Sequence, residues 1–125
     1  MELLKADGLA EKSDGLEFVI SETGADLVNI GVALKNCVRS YTNKIQQGQC
    51  IIVGVKKANK FVACLELKPL QGNGALLVQA KLYANKSVHT NKTINNKVLS
   101  WAYRHRIAPN TSDIDVKLFE KQKGA

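Results

Sequence analysis

Two apolar, β-branched runs in immediate succession most constrain what this chain can become. "CIIVGVK" (50–56) and "FVACLELK" (61–68) are separated only by "KANK", and "ALLVQAKLY" (75–83) follows after "PLQGNG". Runs of this length and composition read as strands, and a polar break of a few residues allows only a tight hairpin between them. Pro69, Gly72, Asn73 and Gly74 form a second turn signal. Strands joined by such short connections pair antiparallel, because a parallel return needs a crossover of a dozen residues or more. Alternation assigns Phe61, Ala63, Leu65 and Leu67 to one face of the second strand, with Val62, Cys64 and Glu66 opposite. On the third, Leu76, Val78, Ala80 and Leu82 share a face and leave Gln79 and Lys81 on the other.

Helical patterns flank this core. "SETGADLVNIGVALKNCVRSYTNKIQQ" places Leu34, Cys37, Val38, Tyr41 and Ile45 on one stripe at three- and four-residue steps, with Gly48 as its stop. "NKTINNKVLSWAYRHR" (91–106) carries Ile94, Val98, Trp101, Ala102 and His105 on an inner stripe behind a cap at Thr90 or Asn91. "LEFVI" (16–20) adds a short strand after the Asp14-Gly15 turn, and the alternation in "SDIDVKLFE" predicts a last edge strand. The expected architecture is α+β: a small antiparallel sheet of about four to five strands with helices packed on one face. One domain is expected over residues 1–125, with an acidic segment at 1–15, a core at 16–106, and a C-terminal strand and frayed tail at 107–125.

Charge and cysteine usage narrow the function classes. The net charge of +7 is unevenly spread: residues 1–34 hold two lysines against seven acids, a net of −5, which leaves +12 for the remainder. Such asymmetry predicts a polyanion partner, or an acidic segment that masks a basic surface; the alternative is a solvated lysine-rich face. Cys37, Cys50 and Cys64 are odd in number and lack CxxC spacing, and only His89 and His105 could join them. Neither disulfides nor a metal site nor any cofactor is expected, and free thiols fit a reducing, cytoplasmic setting. No apolar run approaches the ~18 residues of a membrane span, and the N-terminal segment lacks the basic and apolar regions of a secretory signal.

Several of these residues also carry a resemblance. Gly31, Leu34, Cys37-Val38, Tyr41, Gly48 and Ile51-Ile52, followed by Leu65 and Glu66 in "ACLELK" and by Gln79 and Asn85 in "QAKLYAN", resemble the PcfJ-like proteins in order and spacing. That family is linked to bacterial conjugative plasmids and other mobile elements. The similarity spans about residues 16–103. It departs at Asn36, where relatives often carry histidine, at Arg39, and at Leu82, where glycine is usual. What the resemblance implies is a fold and a mobile-element setting rather than a reaction.

Three functional readings remain. In the first, Lys56, Lys57, Lys60, Lys86, Lys92, Lys97, Arg104 and Arg106 contact phosphates, with nucleic acid the expected partner and the interleaved Tyr41, Tyr83, Trp101 and Tyr103 available for stacking. No helix-turn-helix, zinc-finger or RNP pattern accompanies them, and Trp101 also fits a core position. In the second, Cys37 and Glu66 are the candidate catalytic groups, and Asn36, Tyr41, Gln79, Lys81 and Asn85 line a ligand pocket. Cys37 on an apolar stripe reads first as a small hydrophobe, and Glu66 as a salt-bridge partner. In the third, exposed strand edges pair two copies into a homodimer. The balance favours a non-enzymatic polyanion-binding protein.

Overall fold

Six strands hydrogen-bond in sequence order into a single sheet: β1 (Glu11–Ser13), β2 (Leu16–Ile20), β3 (Ile51–Lys57), β4 (Lys60–Pro69), β5 (Ala75–Lys81) and β6 (Ile107–Pro109). The computed structural model describes residues 10–13, 15–20, 51–70 and 74–119. The helical pattern read over 21–47, with Asn36, Cys37 and Tyr41, therefore lies outside the described residues. Pairing from β1 through β5 is antiparallel, as the short connections require. The β3–β4 hairpin turns on Ala58 and Asn59 at φ 52° and 66°. Positive φ at both central residues marks a type I′ turn, whose twist matches that of the strands it joins. Lys57 and Lys60 are its closing pair.

Helix α1 (Lys92–Arg104) packs across one face of the sheet. Its N-cap is Asn91, whose side chain accepts from the Ile94 amide at 3.1 Å. The expected stripe of Ile94, Val98, Trp101 and Ala102 is buried, joined by Asn95, Asn96 and Leu99. Trp101, fully buried, stacks on Phe18 of β2 with ring centroids 4.6 Å apart and planes 4° from parallel. Val53, Val55, Ala63, Leu65, Leu67, Ala75 and Leu77 complete this core. Ile52 and Cys64 lie on the opposite face and are also buried, so the middle of the sheet is closed to water on both sides.

Three expectations are corrected. The sheet is mixed and six-stranded, because after α1 the chain returns beside β5 and β6 pairs with it in parallel. A strand–helix–strand crossover produces that direction. Residues 112–119 do not form the last strand expected over 112–120: 112–114 turn, and residues 116–119 are helical. Asp115 caps that helical turn, its carboxylate accepting from the amides of Lys117 (2.9 Å) and Leu118 (3.3 Å). Strand β1, inside the acidic N-terminal segment, adds to the expected set and contradicts none of it. Finally, register shifts in β4–β5 and β3–β4 change which side chains share a face. Gln79 opposes Glu66 while Leu77 opposes Leu67, leaving Val78 as the extra residue, so Ala75 and Leu77 face α1 in place of Leu76 and Val78. Likewise Val62 is the extra residue against Val55 and Lys56, and Phe61 turns to the face away from α1.

Replacing the buried indole, Trp101→Ala, removes the largest side chain in this core and is expected to cost about 3–5 kcal/mol. Urea unfolding followed by far-UV circular dichroism checks this, and a loss under 1 kcal/mol would mean that the Phe18–Trp101 stack does not hold the helix.

Candidate functional site

One end of the sheet collects five lysines of the described residues. The β3–β4 turn lies there, with Lys56, Lys57 and Lys60 around it, and the β1–β2 turn lies beside it. Between the two turns is a groove of about 490 Å³ lined by Lys12, Gly15, Leu16, Glu17, Lys56, Ala58 and Asn59. The helix reaches the same place from the other face: the Lys97 ammonium comes within 3.8 Å of where a Cβ on Gly15 would sit. Gly15 has φ +78°, a conformation that glycine takes without strain. The register runs Lys12–Glu17–Lys56–Phe61 across four adjacent strands. The Lys56 ammonium sits over the Phe61 ring, 4.9 Å from its centroid, an arrangement in which the ring face attracts the cation.

The other expected cations are distributed differently. Arg106 begins the opposite end, next to Ile107, which pairs with Ala75. Along β4 that end is about 30 Å from Lys60. Lys86 lies between the 3-10 turns Tyr83–Asn85 and Val88–Thr90, and Lys92 starts α1; both are exposed. Arg104 is engaged by Glu11 in an ion pair, and the same carboxylate meets His105 Nε2 at 2.8 Å. Arg104 also donates to Ser100 Oγ at 2.6 Å. Glu11 thus ties the edge strand to the end of the helix. Of the aromatic residues, Trp101 is buried, whereas Tyr83 and Tyr103 are exposed.

The sheet face away from α1 brings Glu66 and Gln79 directly opposite each other, with Cys64 and Lys81 as the next pair. Burial, and then the negative charge of Glu66, pushes the Cys64 thiol up to about 12. It is therefore a neutral thiol at physiological pH and a poor nucleophile. Asn85 ends the first 3-10 turn. Lys81, expected to line a pocket, donates to the buried Asp113 carboxylate at 2.8 Å.

Asp113 has no counterpart among the residues the pattern singled out. Its carboxylate accepts from Lys81 Nζ, from Ser87 Oγ at 2.6 Å and from the Ala80 amide at 3.0 Å, and its own carbonyl accepts from the His89 amide at 2.8 Å. Burial alone would raise its pKa, but the hydrogen bonds from Lys81, Ser87 and Ala80, with the lysine's charge, outweigh that and hold it below the usual carboxylate range. Asn95 performs a similar task one turn into α1, donating to the Asp115 carbonyl at 2.9 Å and accepting from the Asp115 amide at 2.8 Å. Both are structural anchors. Among the described residues no buried side-chain polar atom lacks a partner and no cluster of metal-ligating groups occurs. No helix there is long and apolar enough to cross a membrane.

A family model described as PcfJ-like protein matches residues 2–95. Comparison with curated proteins returns no match, and neither does comparison with solved structures.

The Asp113 anchor makes a pH-dependent prediction. A carboxyl whose pKa is lowered by folding contributes stability above its unfolded value, near ~3.9, and that contribution fades as pH falls through the native value. Asp113→Ala is expected to cost about 2–3 kcal/mol at pH 7, and the gap between variant and parent should close on acidification. Urea midpoints at pH 7 and at about 3 check it. A constant gap would show that packing, not charge, accounts for the loss.

Proposed function

The chain belongs to the PcfJ-like family, and on that premise we propose that it is a small, basic, non-enzymatic accessory protein of a mobile genetic element. Its proposed partner is a polyanion, nucleic acid above all. The observation that carries this reading is the gathering of Lys12, Lys56, Lys57, Lys60 and Lys97 around two adjacent turns. Phosphate contacts from such a group give affinity that is independent of sequence and released by salt.

The local energetics favour a binding role over a merely solvated face. Lys57 and Lys60 stand directly opposite each other in register, and like charges at such a pair weaken a sheet. Ala58 between them holds a left-handed φ of 52°, which costs a residue with a Cβ roughly 1–2 kcal/mol. A hairpin optimised for stability alone would carry a glycine and an opposite-charge pair here. This one concentrates cations at its tip, where a polyanion would relieve their repulsion. Because Arg104 is held by Glu11 and Arg106 lies at the far end, the contact surface centres on the hairpin rather than on the helix.

Fluorescence anisotropy of labelled oligonucleotides against salt tests the reading. Log affinity should fall linearly with log salt, with a slope of about −0.7 per phosphate contact for a single strand. The double variant Lys57→Glu, Lys60→Glu should flatten that slope by at least one unit, about what loss of two contacts predicts, with no fall in the thermal midpoint. Absence of binding by the parent at about 50 mM salt, or an unchanged slope in the variant, would overturn it.

A further inference from the structure

Glu17 is the feature of the groove that phosphate binding does not explain. It lies between Lys12 and Lys56 in register, the one acid among the described residues that line the groove. Such a position invites a cross-strand ion pair. Yet among the described residues Glu17 makes no ion pair with either lysine, and the Lys56 ammonium is placed on the Phe61 ring. The half-buried Glu17 thus faces a groove whose other charges, among the described residues, are cationic. For a bare phosphate or a duplex backbone that carboxylate is a repulsive element. It becomes favourable only for a ligand that brings hydrogen-bond donors together with its negative charge.

We infer that the groove seats one unstacked nucleotide of a single strand, guanine in preference. The Glu17 carboxylate accepts from the base, and Lys12 and Lys56 meet the phosphates on either side. This rests on the nucleic-acid reading above and specifies its site and its base. The groove's volume of about 490 Å³ lies within the ordinary range of small-ligand sites, ~300–1,000 Å³. Adjacent strands are ~4.8 Å apart, so two lysines flanking a central acid span about 10 Å, wide enough to bracket a base and its sugar–phosphate. Single-stranded bases are read along their Watson–Crick edges, which a duplex hides. Guanine alone presents two neighbouring donors there, N1–H and N2–H, matched to the two oxygens of a carboxylate. Cytosine and adenine each offer an amino group beside an acceptor nitrogen, and thymine or uracil offers one N–H between two carbonyls that a carboxylate repels.

The decisive comparison uses oligothymidine and an alternating thymidine–guanosine strand of equal length, by anisotropy at about 50 mM salt. The parent protein is expected to favour the guanosine-containing strand by roughly fivefold or more. Glu17→Gln should abolish that preference while leaving affinity for oligothymidine unchanged or higher, since a repulsive charge is gone. Equal binding of both strands by the parent, or a preference that survives Glu17→Gln, would overturn the inference while the polyanion reading stands. Failure to bind either strand would remove both. Should Glu17→Gln not fold, amide shifts of the parent on adding guanosine monophosphate decide the matter. Changes centred on residues 15–17 and 56–59 support the site, and changes elsewhere or none overturn it.

Discussion

The contact between Phe18 and Trp101 is the one on which the rest of this structure depends. Helix α1 is joined in sequence to β5 and β6, at one side of the sheet, yet it stacks its tryptophan on a strand near the opposite edge. By spanning the sheet it covers Val53, Val55, Ala63 and Leu65 on the strands between. Burying two large aromatic rings face to face contributes on the order of several kcal/mol through apolar area and ring stacking together. Glu11 extends the same link outward, since its carboxylate reaches Arg104 and His105 at the helix end. With the helix held there, the two hairpin turns are presented side by side and the lysines around them share one groove.

A division of labour among the charges follows. Acids and bases buried or half-buried near the helix and β5 are paired: Asp113 with Lys81, and Glu11 with Arg104 and His105. They hold elements in place. The lysines at the turns lack that use, and the hairpin accepts both a left-handed alanine and a like-charge pair to carry them. Residues in sparsely populated backbone regions persist where the surrounding structure over-determines them, and they gather at sites of recognition. In this chain a left-handed alanine and a like-charge pair coincide at the tip of the β3–β4 hairpin.

What could be read from the residues alone was the part governed by local rules. The three central strands, their hairpin and the capped amphipathic helix are each written in contiguous residues, through β-branched runs, turn signals and a three-to-four repeat. Membership of the PcfJ-like family was legible in the same way, from spaced features in order. Illegible were the features set by distant partners. Val78 looks like any other strand residue, and only pairing with β4 makes it a bulge that reverses the faces of Leu76 and Leu77. "IAP" is too short to announce β6, which exists because Ala75, Leu76 and Leu77 offer it an edge. The alternation of Ile114, Val116 and Leu118 imitates a strand, but Asp113 is drawn into hydrogen bonds with β5 and Asp115 caps a helical turn. At the candidate site the hairpin lysines were visible, whereas Lys12 was hidden in a segment that read as merely acidic and Glu17 in a strand noted only for its pattern.

The clasp between Glu11 and the end of α1 bears on how the chain acquires its shape. It joins residues 93 and 94 positions apart, whereas the β3–β4–β5 meander closes through contacts a few residues across each turn. Loop-closure entropy grows with the length enclosed, and contacts between distant residues slow folding more than local ones do. The meander, with β2 paired on β3, can therefore assemble before the helix docks, whereas the Glu11 clasp forms only once Arg104 and His105 are in place. Lys97 joins the hairpin lysines at that late stage. The hairpin lysines are thus gathered by local contacts, and the long-range clasp adds the edge strand that carries Lys12.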